Sequence, residues 1–183
     1  MKLITAFAAA ALVLSGAGVY AYAQTRANEA AEQQVRRDPN AFERLRAWVM
    51  ERGGTERAFA NEYWDHHETG LYVEARTGEA LFASTSKFDS GSGWPSFTRP
   101  INPDAITLHE DNAFGMRRIE VRSREGNHHL GHVFDDGPRD SGGQRFCINS
   151  CAIRFIPRDR MEAEGYGRYL PIVDGETPSL ASR

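Results

Sequence analysis

Two cysteines and a tight group of histidines are the residues of this sequence best suited to covalent or acid–base chemistry. Cys147 and Cys151 lie four positions apart. On one strand their Cα atoms would stand about 13 Å apart, well beyond the roughly 4.4–6.8 Å that a disulfide spans. A bridge between them therefore needs a turn or helix and is disfavoured. Read as a strand, Arg145-Phe146-Cys147-Ile148-Asn149 turns Phe146 and Ile148 towards a core and places Arg145, Cys147 and Asn149 on the opposite face. A guanidinium beside a thiol favours the thiolate, the nucleophilic form. The competing reading is a buried structural cysteine, and the polar flanks weigh against it. Cys151 precedes the apolar alternation of Ile153 and Phe155 and reads as a packing residue.

Three of the six histidines fall within His128–His132. Imidazoles close to a thiol supply acid–base groups that titrate near neutral pH. His129 and His132 would face opposite ways in a regular strand, but Gly131 between them can mark a bulge that turns both rings into one pocket. A solvated turn is the bland alternative. A weak metal site through His129 and His132 is another, and it needs a third ligand such as His109, His128 or Glu110. A third segment, Phe88–Phe97, is held irregular by Gly91, Gly93 and Pro95. Trp94 and Phe97 on it either plug the core or form an aromatic wall for a small apolar group such as a methyl.

The elements that must position these groups are short. The 183 residues are 40% hydrophobic and 26% charged, enough for one ordinary domain with its own core, and too cysteine-poor for a disulfide scaffold. With 22 Lys+Arg against 25 Asp+Glu, a strongly basic nucleic-acid surface is not expected. Met1–Ala23 has the pattern of an export signal, with Lys2, an apolar run and Ala-x-Ala at 21–23; an uncleaved membrane anchor is the alternative. Either places the working domain in a periplasm or otherwise outside the cytoplasm. Residues 24–54 read as a linker and a helix, with Asp38 as cap, Pro39 at the first position, Phe42, Leu45 and Val49 on one stripe, and Gly53-Gly54 as the stop. Seven alternating runs follow at Leu71–Ala75, Ala80–Ala83, Ile106–His109, Arg117–Arg122, Leu130–Phe134, Arg145–Asn149 and Ile153–Ile156. They predict a mainly β, antiparallel domain over residues 55–171 and an irregular tail over 172–183.

Gly91-Ser92-Gly93-Trp94-Pro95-Ser96-Phe97, His129-Leu130-Gly131-His132-Val133-Phe134 and Arg145-Phe146-Cys147-Ile148-Asn149-Ser150, in this order, resemble the methionine sulfoxide reductase B family. Gly54-Thr55-Glu56-Arg57, Lys87-Phe88-Asp89-Ser90 and Asp135-Asp136-Gly137-Pro138 agree with it, so that the resemblance runs from Phe42 to Pro157. It implies a β-tent of two antiparallel sheets with an N-terminal helical segment, and reduction of the R epimer of peptide or protein methionine sulfoxide. Cys147 would attack the sulfoxide sulfur, leaving a sulfenic acid. His129, His132 and Asn149 would hold and protonate the oxygen, Arg145 would favour the thiolate, and Trp94, with Phe97 beside it, would meet the substrate methyl.

The sequence departs from the family at two places. Zinc ligands of many members correspond to Glu74, Thr77, Ser123 and Gly126, so no metal or other cofactor is expected. The usual resolving cysteine corresponds to Ser92, which leaves Cys151 as a weak candidate for that role. An external thiol, thioredoxin-like or other, is then the expected reductant, with a monomer repairing oxidised exported proteins and touching membrane only if the leader remains attached. The alternative is a non-catalytic periplasmic metal- or peptide-binding module on the same fold. A general thiol oxidoreductase lacks its C-x-x-C pair.

Overall fold

Helix α1, Ala41–Arg52, carries the expected stripe and ends at Gly53-Gly54. Val49 and Met50 are fully buried, and Phe42 and Leu45 pack beside them. The computed structural model describes residues 40–176. The export segment Met1–Ala23, the linker, the expected cap Asp38-Pro39 and residues 177–183 lie outside the described residues.

Nine strands follow among the described residues: β1 (Gly70–Glu74), β2 (Ala80–Ala83), β3 (Lys87–Phe88), β4 (Ser96–Phe97), β5 (Ile106–Asp111), β6 (Arg118–Ser123), β7 (His129–Phe134), β8 (Arg145–Ile148) and β9 (Ile153–Pro157). They form two antiparallel sheets, one ordered β2-β1-β9 and the other β3-β4-β8-β7-β6-β5. The mainly β, two-sheet architecture with an N-terminal helix is the one expected. All seven anticipated strands are present, with ends displaced by at most two residues. β3 and β4 were not anticipated, because two residues are too few to show an alternation. The tail expectation needs correction. Leu170–Val173 is a short helix, α2, whose Val173 is buried against the sheet, so the ordered fold continues beyond Pro171.

β1 and β2 are buried along their whole length. Tyr72 and Phe82 enter the larger apolar cluster with Phe97, Val121, Leu130 and Ile148. Leu71, Val73 and Ala83 join a second cluster with Ile156, Met161 and Val173. β1 and β2 thus meet apolar groups on both faces, so they are buried continuously where an alternation was expected, whereas β9 keeps Arg154 exposed.

One buried charge crosses this frame. Glu74, at the end of β1, is fully buried, and its carboxylate accepts the backbone N–H groups of Arg76 (2.8 Å) and Thr77. The other oxygen meets His128 Nδ1 at 2.7 Å, and His128 N donates to Ser123 Oγ at 3.1 Å. The β1–β2 and β6–β7 turns are therefore tied by a carboxylate, an imidazole and a hydroxyl, at the residues that correspond to zinc ligands in the family resemblance. This donor set does not fit a zinc ion: Thr77 and Ser123 offer hydroxyls, Gly126 offers no side chain, and the single carboxylate is already saturated by protein donors. Burial pushes the Glu74 carboxyl up, but the donors from Thr77, Arg76 and His128 outweigh it and hold the group below the ordinary 4.5.

A carboxyl held low in the folded state stabilises above its unfolded value and ceases to do so as pH falls through the folded value. Glu74→Ala should lower unfolding stability by about 3 kcal/mol at neutral pH, measured by denaturant titration. The difference from the unmodified protein should shrink as pH drops below about 4, and a difference independent of pH would show that the charge does not contribute.

Candidate active site

Cys147 occupies the middle of β8, paired with Ser96 of β4 on one side and His132 of β7 on the other. It is half-buried, while Phe146 and Ile148 point into the core. His129 is brought to the face of His132 by a register shift. Val121 of β6 pairs with Gly131 and the next residue, Arg122, pairs with His129, so that Leu130 is the extra residue of a bulge. The two imidazoles stand 5.3 Å apart, centroid to centroid. Gly131 is required where it sits, since a Cβ there would overlap the carbonyl oxygen of Cys147.

Each imidazole is held by a carboxylate that the residue pattern did not single out. His129 Nδ1 meets Glu120 Oε1 at 2.7 Å, and His132 Nε2 meets Asp111 Oδ2 at 2.8 Å. The other candidate metal ligands are dispersed: His128 is engaged by Glu74, and His109 is exposed on Thr107. Among the described residues no three metal-ligating side chains converge.

The Phe88–Phe97 segment supplies the other wall. Ser92 Oγ lies 3.8 Å from Cys147 Sγ and 2.8 Å from Ser90 Oγ, which in turn lies 2.7 Å from Ser96 Oγ. Trp94 is half-buried, and its Nε1 donates to the backbone oxygen of Glu56 at 3.1 Å. Gly93, at φ +86°, allows Phe59 and Ala58 to approach where a Cβ would come within 2.7 and 2.8 Å of them. Phe97 requires a correction. It was expected beside the substrate, yet it is fully buried and stacks on Phe82 at 4.4 Å, because β4 turns its second residue into the core.

Two further expectations change. Asn149 is buried and doubles as a structural brace, with Oδ1 accepting Glu56 N–H at 3.0 Å and one of its two Nδ2 hydrogens donated to Leu130 O at 3.0 Å. It braces the β7–β8 pair from behind the thiol. Arg145 forms a two-pronged pair with Asp136, at 2.8 and 2.9 Å, and lies over the Phe134 ring. Burial pushes the Cys147 thiol above its ordinary value, and Ser92 and the Arg145 charge pull it back only in part. The pull of the arginine is smaller than the effect of burial.

Glu56 is the residue that the motif reading passed over. Its carboxylate is buried, accepts the N–H groups of Ser150 and Cys151 (3.0 Å to the latter), and so fastens the turn after β8. Tyr63 N adds a bond to Ser150 Oγ at 3.0 Å. Nothing local singles Glu56 out, since it stands beside Arg57 in a short polar stretch before Ala58-Phe59 and its partners lie more than ninety residues away. Cys151 lies within this knot, 1% exposed, and burial and the Glu56 carboxyl push its thiol far up.

A family model described as the SelR domain matches residues 42–157. That span includes all but the first residue of α1, all nine strands and every residue of the site just described.

Replacing Glu56 by Ala strands two buried N–H donors, each worth about 1–3 kcal/mol. Denaturant unfolding of Glu56→Ala should show a loss of about 3 kcal/mol, together with faster alkylation of Cys151. A variant that unfolds like the parent and keeps Cys151 unreactive would remove Glu56 from this role.

Proposed function

Since the chain belongs to the SelR family, the methionine-R-sulfoxide reductase B family, and is a peptide-methionine (R)-S-oxide reductase, we propose that Cys147 is its nucleophile and that His129 and His132 move the proton. The observation that carries the reading is the placement of Cys147 directly across the ladder from His132, with the buried His129 ring beside it. Trp94 serves as the wall for the substrate methyl. The buried pair starts neutral. Burial lowers the His129 imidazole below its ordinary value, against the opposing bond and charge of Glu120, and burial raises the thiol.

The chemistry then balances within the site. The Cys147 thiol gives its proton to an imidazole, and its sulfur bonds to the sulfoxide sulfur. The imidazolium passes that proton to the sulfoxide oxygen, a poor leaving group until protonated, and acid assistance of this kind is worth about 10²–10⁴-fold. The oxygen ends on Cys147 as a sulfenic acid and methionine departs, so the thiol loses the two electrons that the sulfoxide gains. One external thiol then displaces water from the sulfenic acid and forms a mixed disulfide, and a second releases Cys147. Ser92, beside Cys147, cannot form a disulfide, and Cys151 is enclosed by the Glu56 turn, so both reducing thiols come from another molecule, with no metal in the cycle. The leader pattern at Met1–Ala23 supports work on oxidised exported proteins.

Incubation of the protein with dithiothreitol and each epimer of a methionine-sulfoxide peptide tests the assignment. Only the R epimer should be consumed, Cys147→Ser should be inactive, and Cys151→Ser should retain most turnover. A Cys147–Cys151 disulfide after one turnover would overturn the regeneration route.

The reactive state holds one proton between thiol and imidazole, so activity falls at low pH, when His129 is also protonated, and at high pH, when Cys147 loses its proton. Burial moves both limbs outwards. In single-turnover measurements the acid limb should lie below the ordinary histidine value of 6.5 and the alkaline limb above the ordinary thiol value of 9.0. An acid limb above 6.5 would contradict the neutral pair.

A further inference from the structure

We propose that Glu120 and Asp111 are positioning residues of the reduction, each selecting the ring nitrogen that its histidine turns to the reacting atoms: Nε2 of His129 and Nδ1 of His132. This rests on the assignment of the two imidazoles as proton carriers and adds what sets them. Arg118, Glu120 and Arg122 alternate along β6, so all three project to the face that carries His132 and Cys147. Glu120 Oε1 takes both Arg122 Nη1 at 3.0 Å and His129 Nδ1 at 2.7 Å. Asp111 on β5 repeats the pattern, with Oδ2 taking Arg118 Nη2 at 2.6 Å and His132 Nε2 at 2.8 Å, while Oδ1 accepts Ala113 N at 2.9 Å. Two arginine–carboxylate–imidazole relays thus run side by side, and they grip opposite nitrogens of their rings.

An ionised carboxylate only accepts hydrogen bonds. His129 must therefore carry its hydrogen on Nδ1 and its lone pair on Nε2, and His132 the reverse. His129 is 2% exposed, and its Nε2 has no partner in the protein. Leaving a buried polar atom open costs about 1–3 kcal/mol, and on this assignment that open lone pair is the one that takes and returns the proton. The Asp111 carboxyl is held down to about 2 by Ala113 N–H, the His132 ring and Arg118. The charges that bear on His129 are Glu120 and Arg122 from β6 and His132 from its own strand, and Glu120 is the one that favours the imidazolium. Its role is to support the transient cation without becoming the acid, as the buried aspartate of a Ser-His-Asp triad does.

The test uses the full chain, Glu120→Gln and Asp111→Asn, with single-turnover reduction of a methionine-(R)-sulfoxide peptide followed across pH and the histidine rings titrated by nitrogen-15 NMR. Both substitutions keep side-chain size and an acceptor oxygen, and remove the charge. Glu120→Gln should lower the plateau rate at least about tenfold, leave KM within about twofold, and move the acid limb and the His129 titration together to lower pH. Asp111→Asn should lower the rate likewise and change the nitrogen-15 signature of the His132 tautomer, since the Nε2 contact loses its ionised acceptor, giving a second arm on a different strand. An unmoved His129 titration with an unmoved limb overturns the assignment for Glu120, even if the rate falls, because a structural defect alone does that. A loss confined to KM overturns it as well. Failure of the unmodified chain to reduce the R epimer overturns the proton-carrier mechanism and this assignment with it.

Discussion

A carboxylate inside a protein must be surrounded by donors, and the requirement of Glu56 shapes the site. Its two oxygens need N–H groups, and the groups within reach are those of Ser150 and Cys151, in the turn that follows β8. Its own N–H is fixed by Asn149 and its carbonyl by the Trp94 indole. One residue before the first strand therefore sets the end of β8, the Asn149 side chain and the Trp94 ring. Helix α1 closes the same knot, since Arg46 Nε donates to Cys151 O at 2.9 Å. The helix is part of the catalytic domain, whose packing begins at Phe42.

The electrostatics of the other wall follow from the period of a strand. Charges at alternate positions of β6 would be a solvated face in an ordinary edge region. Here they are covered by β7 imidazoles and become partly buried pairs, with side-chain exposures of 25% and 18% for Arg122 and Glu120. Desolvation works against both charged forms, the thiolate of Cys147 and the imidazolium of His129. On the proposed assignment of Cys147 and His129 as reactants, burial thus favours the uncharged form of each before substrate arrives. Charge develops when a sulfoxide dipole arrives, where preorganised donors act most strongly.

Much of this was legible in the sequence, for identifiable reasons. Alternation located the seven longer strands, and the glycine between His129 and His132 announced the bulge. What escaped depended on partners distant in the chain. Phe97 reads equally as wall or core until its register against Phe146 of β8 is known. The polar type of Asn149 suggests a substrate contact, yet both ends of its side chain are taken by Glu56 and Leu130. Glu120 and Asp111 show nothing locally that separates them from other surface acids, because their significance comes from strand pairing that sets His132 opposite Glu120. The family resemblance implied roles for particular residues, but the burial that pushes the Cys147 thiol up could not be read from Arg145 as its neighbour.

The distribution of sulfur through the fold has a consequence of its own. Met50, Met161 and Cys151 are each at most 1% exposed, whereas Cys147 is half-buried and Met116, in the turn between β5 and β6, is 44% exposed. Among the described residues, an oxidant arriving from solvent can reach only these last two sulfur atoms readily. One is the thiol proposed as the nucleophile, which external thiols would restore. The other is a thioether whose oxidation yields both sulfoxide epimers, of which the R form alone is of the class this family reduces. Among the described residues, the packing of Met50, Met161 and Cys151 thus keeps the sulfur atoms of the core away from oxidants in solvent.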